Sequence, residues 1–139
     1  RIIKNNDFPE KELKFRRANY AGAYSKNLVF SGFMYWGFIK KGKDIKLPSK
    51  RGRSKFIDEQ FIGIQDVNGK DIYEGDIVKI TYESLGRVRK MTGIIKYNID
   101  NVGFGFFVDG IDMAFLFIKP SSTKEVIGNI HQNPELINN

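Results

Sequence analysis

No cysteine occurs among the 139 residues. That excludes disulfides, thiolate metal sites and cysteine nucleophiles outright. There is a single histidine, His131, so neither a serine triad with an orienting partner nor a cage of imidazoles around a metal stands out. Apolar runs are short as well. None approaches the ~18 uninterrupted residues of a membrane-crossing helix, and Arg1 to Lys14 lacks the apolar centre of a signal peptide. No membrane association is expected, and the absence of cysteine is compatible with a cytoplasmic setting. The chain opens on Arg1 rather than Met, which implies a missing initiator or short leader.

What is present is aromatic and basic. Phenylalanine, tyrosine and tryptophan make up 14% of the chain, with twelve Phe, enough for a real core in one domain or two very small ones. The formal net charge is +7, and it is concentrated. Residues 40–55 contain Lys40, Lys41, Lys43, Lys46, Lys50, Arg51, Arg53 and Lys55 against one acid, Asp44, while the rest of the chain holds fifteen bases and fifteen acids. Divided differently, residues 1–55 sum to +11 and residues 56–139 to −4. Such asymmetry fits nucleic-acid contact, or association of the basic half of one subunit with the acidic half of another.

Taken in order, Asn5 to Glu10 reads as either a capped short helix or a plain turn. Leu13-Lys14-Phe15-Arg16 alternates as a short strand. Asn27 to Ile39 is apolar on both alternating faces, the pattern of strands buried on two sides, with Ser31-Gly32 placed to break it into a hairpin. Tyr35 and Trp36 could form a stacking platform for bases or sugars. A core or subunit interface is the favoured reading, since aromatic side chains mostly supply buried area. Residues 40–55, with two Gly and a Pro, form a surface loop. Its eight bases are the candidate phosphate contacts, with a solvated loop as the plainer alternative.

The stretch from Gly63 to Val78 carries two turn signals, Asn68-Gly69 and Glu74-Gly75-Asp76, each between apolar flanks. Ile77 to Tyr82 alternates as a strand, Glu83 to Lys90 is a polar connection, and Met91 to Tyr97 is the next strand. Asn98 to Gly103 turns the chain into Phe104–Val108. Asp109-Gly110 turns it again before the apolar run Met113–Ile118, and Glu125 to Ile130 is the last strand. Evenly spaced short strands with Gly and Asn turns are what a small antiparallel barrel produces. Gly93, Gly105 and Gly128 within strands mark bulges or barrel corners. Asn133-Pro134-Glu135-Leu136 reads as the start of a short terminal helix.

No catalytic or metal-binding constellation emerges. Asp66 to Asp71 spells part of a calcium loop but fails it, because Gly69 falls at the fourth position, Lys70 occupies a ligand position and no Glu lies at the twelfth. Asp109 and Asp112 read as turn formers rather than a paired acid and base, and His131 as a surface residue in a turn. Gly-rich phosphate loops are absent. No cofactor is expected, and no enzyme activity.

Four blocks then resemble the YopX family of phage and prophage proteins: Leu13-Lys14-Phe15-Arg16; Gln60-Phe61-Ile62-Gly63-Ile64-Gln65-Asp66-Val67-Asn68-Gly69-Lys70-Asp71-Ile72-Tyr73-Glu74-Gly75-Asp76-Ile77-Val78; Gly93-Ile94-Ile95-Lys96-Tyr97; and Glu125-Val126-Ile127-Gly128-Asn129-Ile130-His131-Gln132-Asn133-Pro134-Glu135-Leu136. The resemblance implies a mainly β protein, with a β-rich, basic region over residues 1–62 and an SH3-like small barrel over 63–139. It also implies frequent oligomers and no catalytic residues. The expectation is therefore a non-catalytic phage accessory protein acting by self-assembly and partner binding. The alternative is a nucleic-acid-binding module that presents Lys40–Lys55 to DNA or RNA.

Overall fold

The computed structural model describes residues 13–22, 28–38 and 55–137. They are overwhelmingly β: nine strands, one four-residue helix and a short 3-10 turn among the described residues. Contacts divide the chain into two units, Arg1–Gln60 and Phe61–Asn139.

The first unit is built on β1 (Leu13–Ala21), which has β2 (Val29–Phe38) antiparallel on one side and the first half of β3 (Lys55–Gln65) antiparallel on the other. The strand expected over Leu13–Arg16 thus runs five residues further, because both its edges are paired. Ser31-Gly32 does not turn the chain into a hairpin. Asn19 faces Gly32 and Tyr20 faces Phe30, so Ser31 is the extra residue of a β-bulge, and its Oγ donates to the Asn19 carbonyl at 3.0 Å. Nor is β2 buried on two sides, since Val29, Met34 and Tyr35 are exposed.

The second unit takes over within β3. Phe61 and Gln65 pair with β4 (Asp71–Tyr73). The turn between them has Gly69 at φ 79°, as Asn68-Gly69 predicts. Gly75, at φ 83°, then aims the chain into β5 (Asp76–Ser84). β5 is followed by β6 (Arg87–Asn98), β7 (Gly103–Val108), β8 (Ile111–Asp112), helix α1 (Ala114–Phe117) and β9 (Thr123–Asn129). The sheet order is β8-β7-β6-β5-β9, antiparallel throughout. A four-strand meander, β5 to β8, followed by a short helix and a fifth strand, β9, that returns to pair with β5, is the SH3-like small barrel.

Its core is Ile72, Val78, Ile80, Ile95, Phe106 and Phe117. Phe106 and Phe117 stack at 5.5 Å between centroids, pinning α1 over the sheet. Gly93 and Gly105 turn out not to mark bulges, for the register runs unbroken through both. They are points of close approach instead. A Cβ on Gly93 would lie 2.6 Å from the Phe107 carbonyl oxygen, and one on Gly105 2.5 Å from Asp112 Oδ2. Gly128 does sit at the register shift between β5 and β9. The terminal helix is a single 3-10 turn, Pro134–Leu136, with Pro in its first position. Asn133 does not cap that turn with its side chain; its Oδ1 accepts from the Asn129 N–H instead.

Candidate functional site

The basic segment singled out from the sequence lies almost wholly outside the described residues: Lys40, Lys41, Lys43, Lys46, Lys50, Arg51 and Arg53 do, as does the Asn5–Glu10 stretch. Lys55 is described. It opens β3, is exposed, and pairs in register with Tyr20.

In the first unit, strand alternation separates two sets of side chains. Phe15, Arg17, Met34, Trp36, Phe56 and Asp58 share one face, and Arg16, Ala18, Phe33, Tyr35, Ile57 and Glu59 the other. Trp36 stacks on Phe15 at 4.4 Å and donates Nε1 to Asp58 at 3.2 Å, so it is committed within the sheet. Asp58 also holds Arg17 through Nε and Nη2, both at 2.9 Å. That guanidinium keeps the Asp58 carboxyl below its usual range and is itself raised by it. Opposite, the Arg16–Glu59 ion pair at 2.9 Å is buried on both sides, and Arg16 lies over the Phe33 ring. Burial and the neighbouring Glu59 raise the Tyr20 hydroxyl. Around these pairs Leu28, Val29, Met34, Tyr35 and Ile57 are exposed. Met34 stands on one face of this sheet, and Tyr35 and Ile57 on the other.

In the second unit Asp66 and Asp112 are each held by three hydrogen-bond donors. Asp66 Oδ1 accepts the backbone N–H groups of Asn68 and Lys70, and Oδ2 that of Val126, each at 2.9 Å. Burial pushes the Asp66 carboxyl up, but these three donors outweigh it and hold it below the usual carboxylate range. Asp112 is arranged alike. Burial raises it, while the Asn98 side chain and the Ala114 and Phe106 N–H groups bring it below normal. His131 lies in the turn after β9, its N–H given to Asn129 Oδ1. Among the described residues no group of three or more His, Asp or Glu is placed to hold a metal ion, and no helix is long and apolar enough to cross a membrane.

Two features of this unit are not legible as a polar connection and an apolar run. The segment Glu83–Lys90 is the tip of the β5–β6 hairpin, closed by Leu85 and Gly86 between the paired Ser84 and Arg87. Leu85 has φ 52° and Gly86 φ 74°, as a two-residue type I′ loop requires. Leu85 is 96% exposed, and Arg87, Val88, Arg89 and Lys90 are exposed beside it. Among the described residues none of these three bases has a side-chain ion pair. Leu85-Gly86 ahead of alternating residues was the available signal. The second feature is an apolar pocket of about 250 Å³ lined by Ile62, Ile64, Phe104, Ala114, Phe117 and Ile118. Ile118 at its mouth is 72% exposed, and Tyr97 stands edge-on to Phe104 at 5.9 Å. Its walls come from β3, β7 and α1, with Ile95 of β6 behind them, so no single stretch of sequence announces it.

Comparison with curated proteins found no match. Among solved structures the chain is similar to protein EF1440 from Enterococcus faecalis, at 21% identity and a TM-score of 0.44, over 91% of this chain and 99% of that one. The YopX protein family matches residues 35–138, a span that takes in three of the four sequence blocks and the whole barrel. With that span matched, the chain belongs to the YopX family.

Proposed function

We propose that this is a non-catalytic phage or prophage accessory protein, working in the host cytoplasm by self-assembly and partner binding. The observation that carries the reading is the first unit's sheet, which pairs Arg16 with Glu59 and Arg17 with Asp58 while Val29, Met34, Tyr35 and Ile57 stand exposed. Surface ion pairs contribute only ~0–1 kcal/mol each, so apolar area of this kind supplies the affinity and the charge asymmetry of the chain sets orientation. The three hydrogen-bond donors on each of Asp66 and Asp112 support a structural rather than a catalytic role for these two carboxylates. Sedimentation equilibrium at micromolar concentration tests it. A mass above that of one chain, lowered by Met34→Glu with Tyr35→Glu, is the expected result, and a monomer at every concentration rejects self-assembly.

A second reading is favoured by the exposed Lys55 at the head of β3. On this reading the basic segment Lys40–Lys55 contacts the phosphates of DNA or RNA. Mobility shift at low salt, with and without residues 40–54, tests it, and no shift with duplex or single strands rejects it.

A further inference from the structure

The barrel contains two hairpin loops of the same kind filled by different residues. Val108 pairs with Ile111 across Asp109-Gly110, at φ 50° and 80°. Ser84 pairs with Arg87 across Leu85-Gly86, at φ 52° and 74°. Asp tolerates the left-handed region by bonding locally, and Leu has no such compensation. Leu85 therefore stands in an unfavourable conformation and, at 96% exposure, gains nothing from burial within its own chain. A local strain combined with a fully exposed apolar side chain points to something that covers it.

The same unit supplies a receptor of matching chemistry. The pocket walled by Ile62, Ile64, Phe104, Ala114, Phe117 and Ile118 is open, apolar and about 250 Å³, ample for an isobutyl group. Leu85 does not fill the pocket of its own chain. Ile95, on the pocket wall, lies eight residues along β6 from the foot of the hairpin, roughly 26 Å at ~3.3 Å per residue. Charge agrees with an encounter between copies. Residues 82–90 carry three exposed bases and one acid. Asp100, in the exposed turn between β6 and β7, is at the pocket's end of the strand.

We infer that the Leu85 hairpin tip of one copy inserts into the Ile64–Phe104–Ile118 pocket of a second copy. The contact is head to tail, so each chain offers one tip and one pocket, and repetition closes a ring or runs as a filament. This inference rests on the self-assembly proposed above and names the surfaces that carry part of it.

The absence of native cysteine makes disulfide trapping clean. Leu85→Cys protein is mixed with Ile118→Cys protein and oxidised, with Leu85→Cys plus Val67→Cys as the control pair. Val67 is also exposed but does not line the pocket. A mixed covalent dimer at least tenfold over the control is expected, since a disulfide needs Cα atoms within ~7 Å. The chain carrying both substitutions should give a ladder of covalent multimers. Leu85→Asn should lower the mass of the unmodified protein. Trapping no better than control, in a protein that assembles, overturns this contact and leaves self-assembly standing. A wild-type monomer rejects both. Loss of a duplex DNA shift in Arg87→Glu, with trapping at the control level, gives the tip to nucleic acid and overturns the contact.

Discussion

The Asp66 carboxylate accepts a hydrogen bond at 2.9 Å from the backbone N–H of Val126, sixty residues further along the chain. Its other oxygen gathers Asn68 and Lys70, and the Val67 N–H bonds the Lys124 carbonyl at 2.8 Å. One side chain thus shapes the Asn68-Gly69 turn and fastens it to β9. Asp66→Ala should cost about 3 kcal/mol, because hydrogen bonds to a charged acceptor contribute ~1.5–3 kcal/mol each and part of that loss is recovered by water. Chemical denaturation, with mass in solution measured alongside, checks this; an unchanged midpoint would show the tether to be dispensable.

Acid stability follows from Asp66 and Asp112. Both carboxyls lie below their ordinary value in the folded protein, so each stabilises the fold above the unfolded pKa of ~3.9. That contribution is lost as pH falls through the folded value. These two groups therefore predict little change from neutrality down to about pH 4 and a decline below it. Asp66→Asn and Asp112→Asn should each flatten that acid limb, as read from thermal unfolding between about pH 2 and pH 7.

Gly69 and Gly93 should respond differently to alanine. Gly69 sits at φ 79° in open space, so a Cβ there meets only backbone strain, ~1–2 kcal/mol. Gly93 has an ordinary backbone, yet its Cβ would meet the Phe107 carbonyl oxygen at 2.6 Å and the Phe106 ring at 2.8 Å. Overpacking of that kind costs ~1–3 kcal/mol or more. Gly93→Ala should be the more damaging of the two in urea titration, and the reverse order would contradict the close packing of β6 on β7.

Glu59→Ala removes a carboxylate from the buried Arg16 guanidinium. Withdrawing one member of such a pair costs ~3–5 kcal/mol when the other is left uncompensated. Arg16 also lies over Phe33 at 4.4 Å, so the expected loss is nearer ~2–3 kcal/mol. Glu59→Ala paired with Arg16→Met should recover most of it. A double variant less stable than the single would show that the two residues act separately.

If the basic segment contacts duplex DNA, eight neutralised phosphates give a log–log salt slope near ~−7. Removing residues 40–54 leaves Lys55 and should bring the slope toward ~−1. A slope unchanged by the deletion would place the contact elsewhere, with Arg87, Arg89 and Lys90 the next bases to replace.

The β character of the chain was determined by the sequence alone, as were most strand positions and the turns at Gly69, Gly75 and Asp109-Gly110. Alternation and positive-φ chemistry act between near neighbours and leave their mark residue by residue. The same locality explains the misreadings. Ser31-Gly32 has the composition of a turn, and only the pairing of β1 with β2 makes it a bulge. Glu83–Lys90 is polar because its side chains are exposed, which conceals that the backbone is a hairpin. β3 extends through Lys55–Gln65 because β1 and then β4 hold its edge, partners that no window on the sequence contains. Tertiary structure alone decided where Asp66 sends its hydrogen bonds, why Gly93 and Gly105 have no side chain, and that Ile62, Phe104 and Ile118 wall one pocket. Each of these depends on contacts between residues distant in sequence, and such contacts exist only once the chain has closed upon itself.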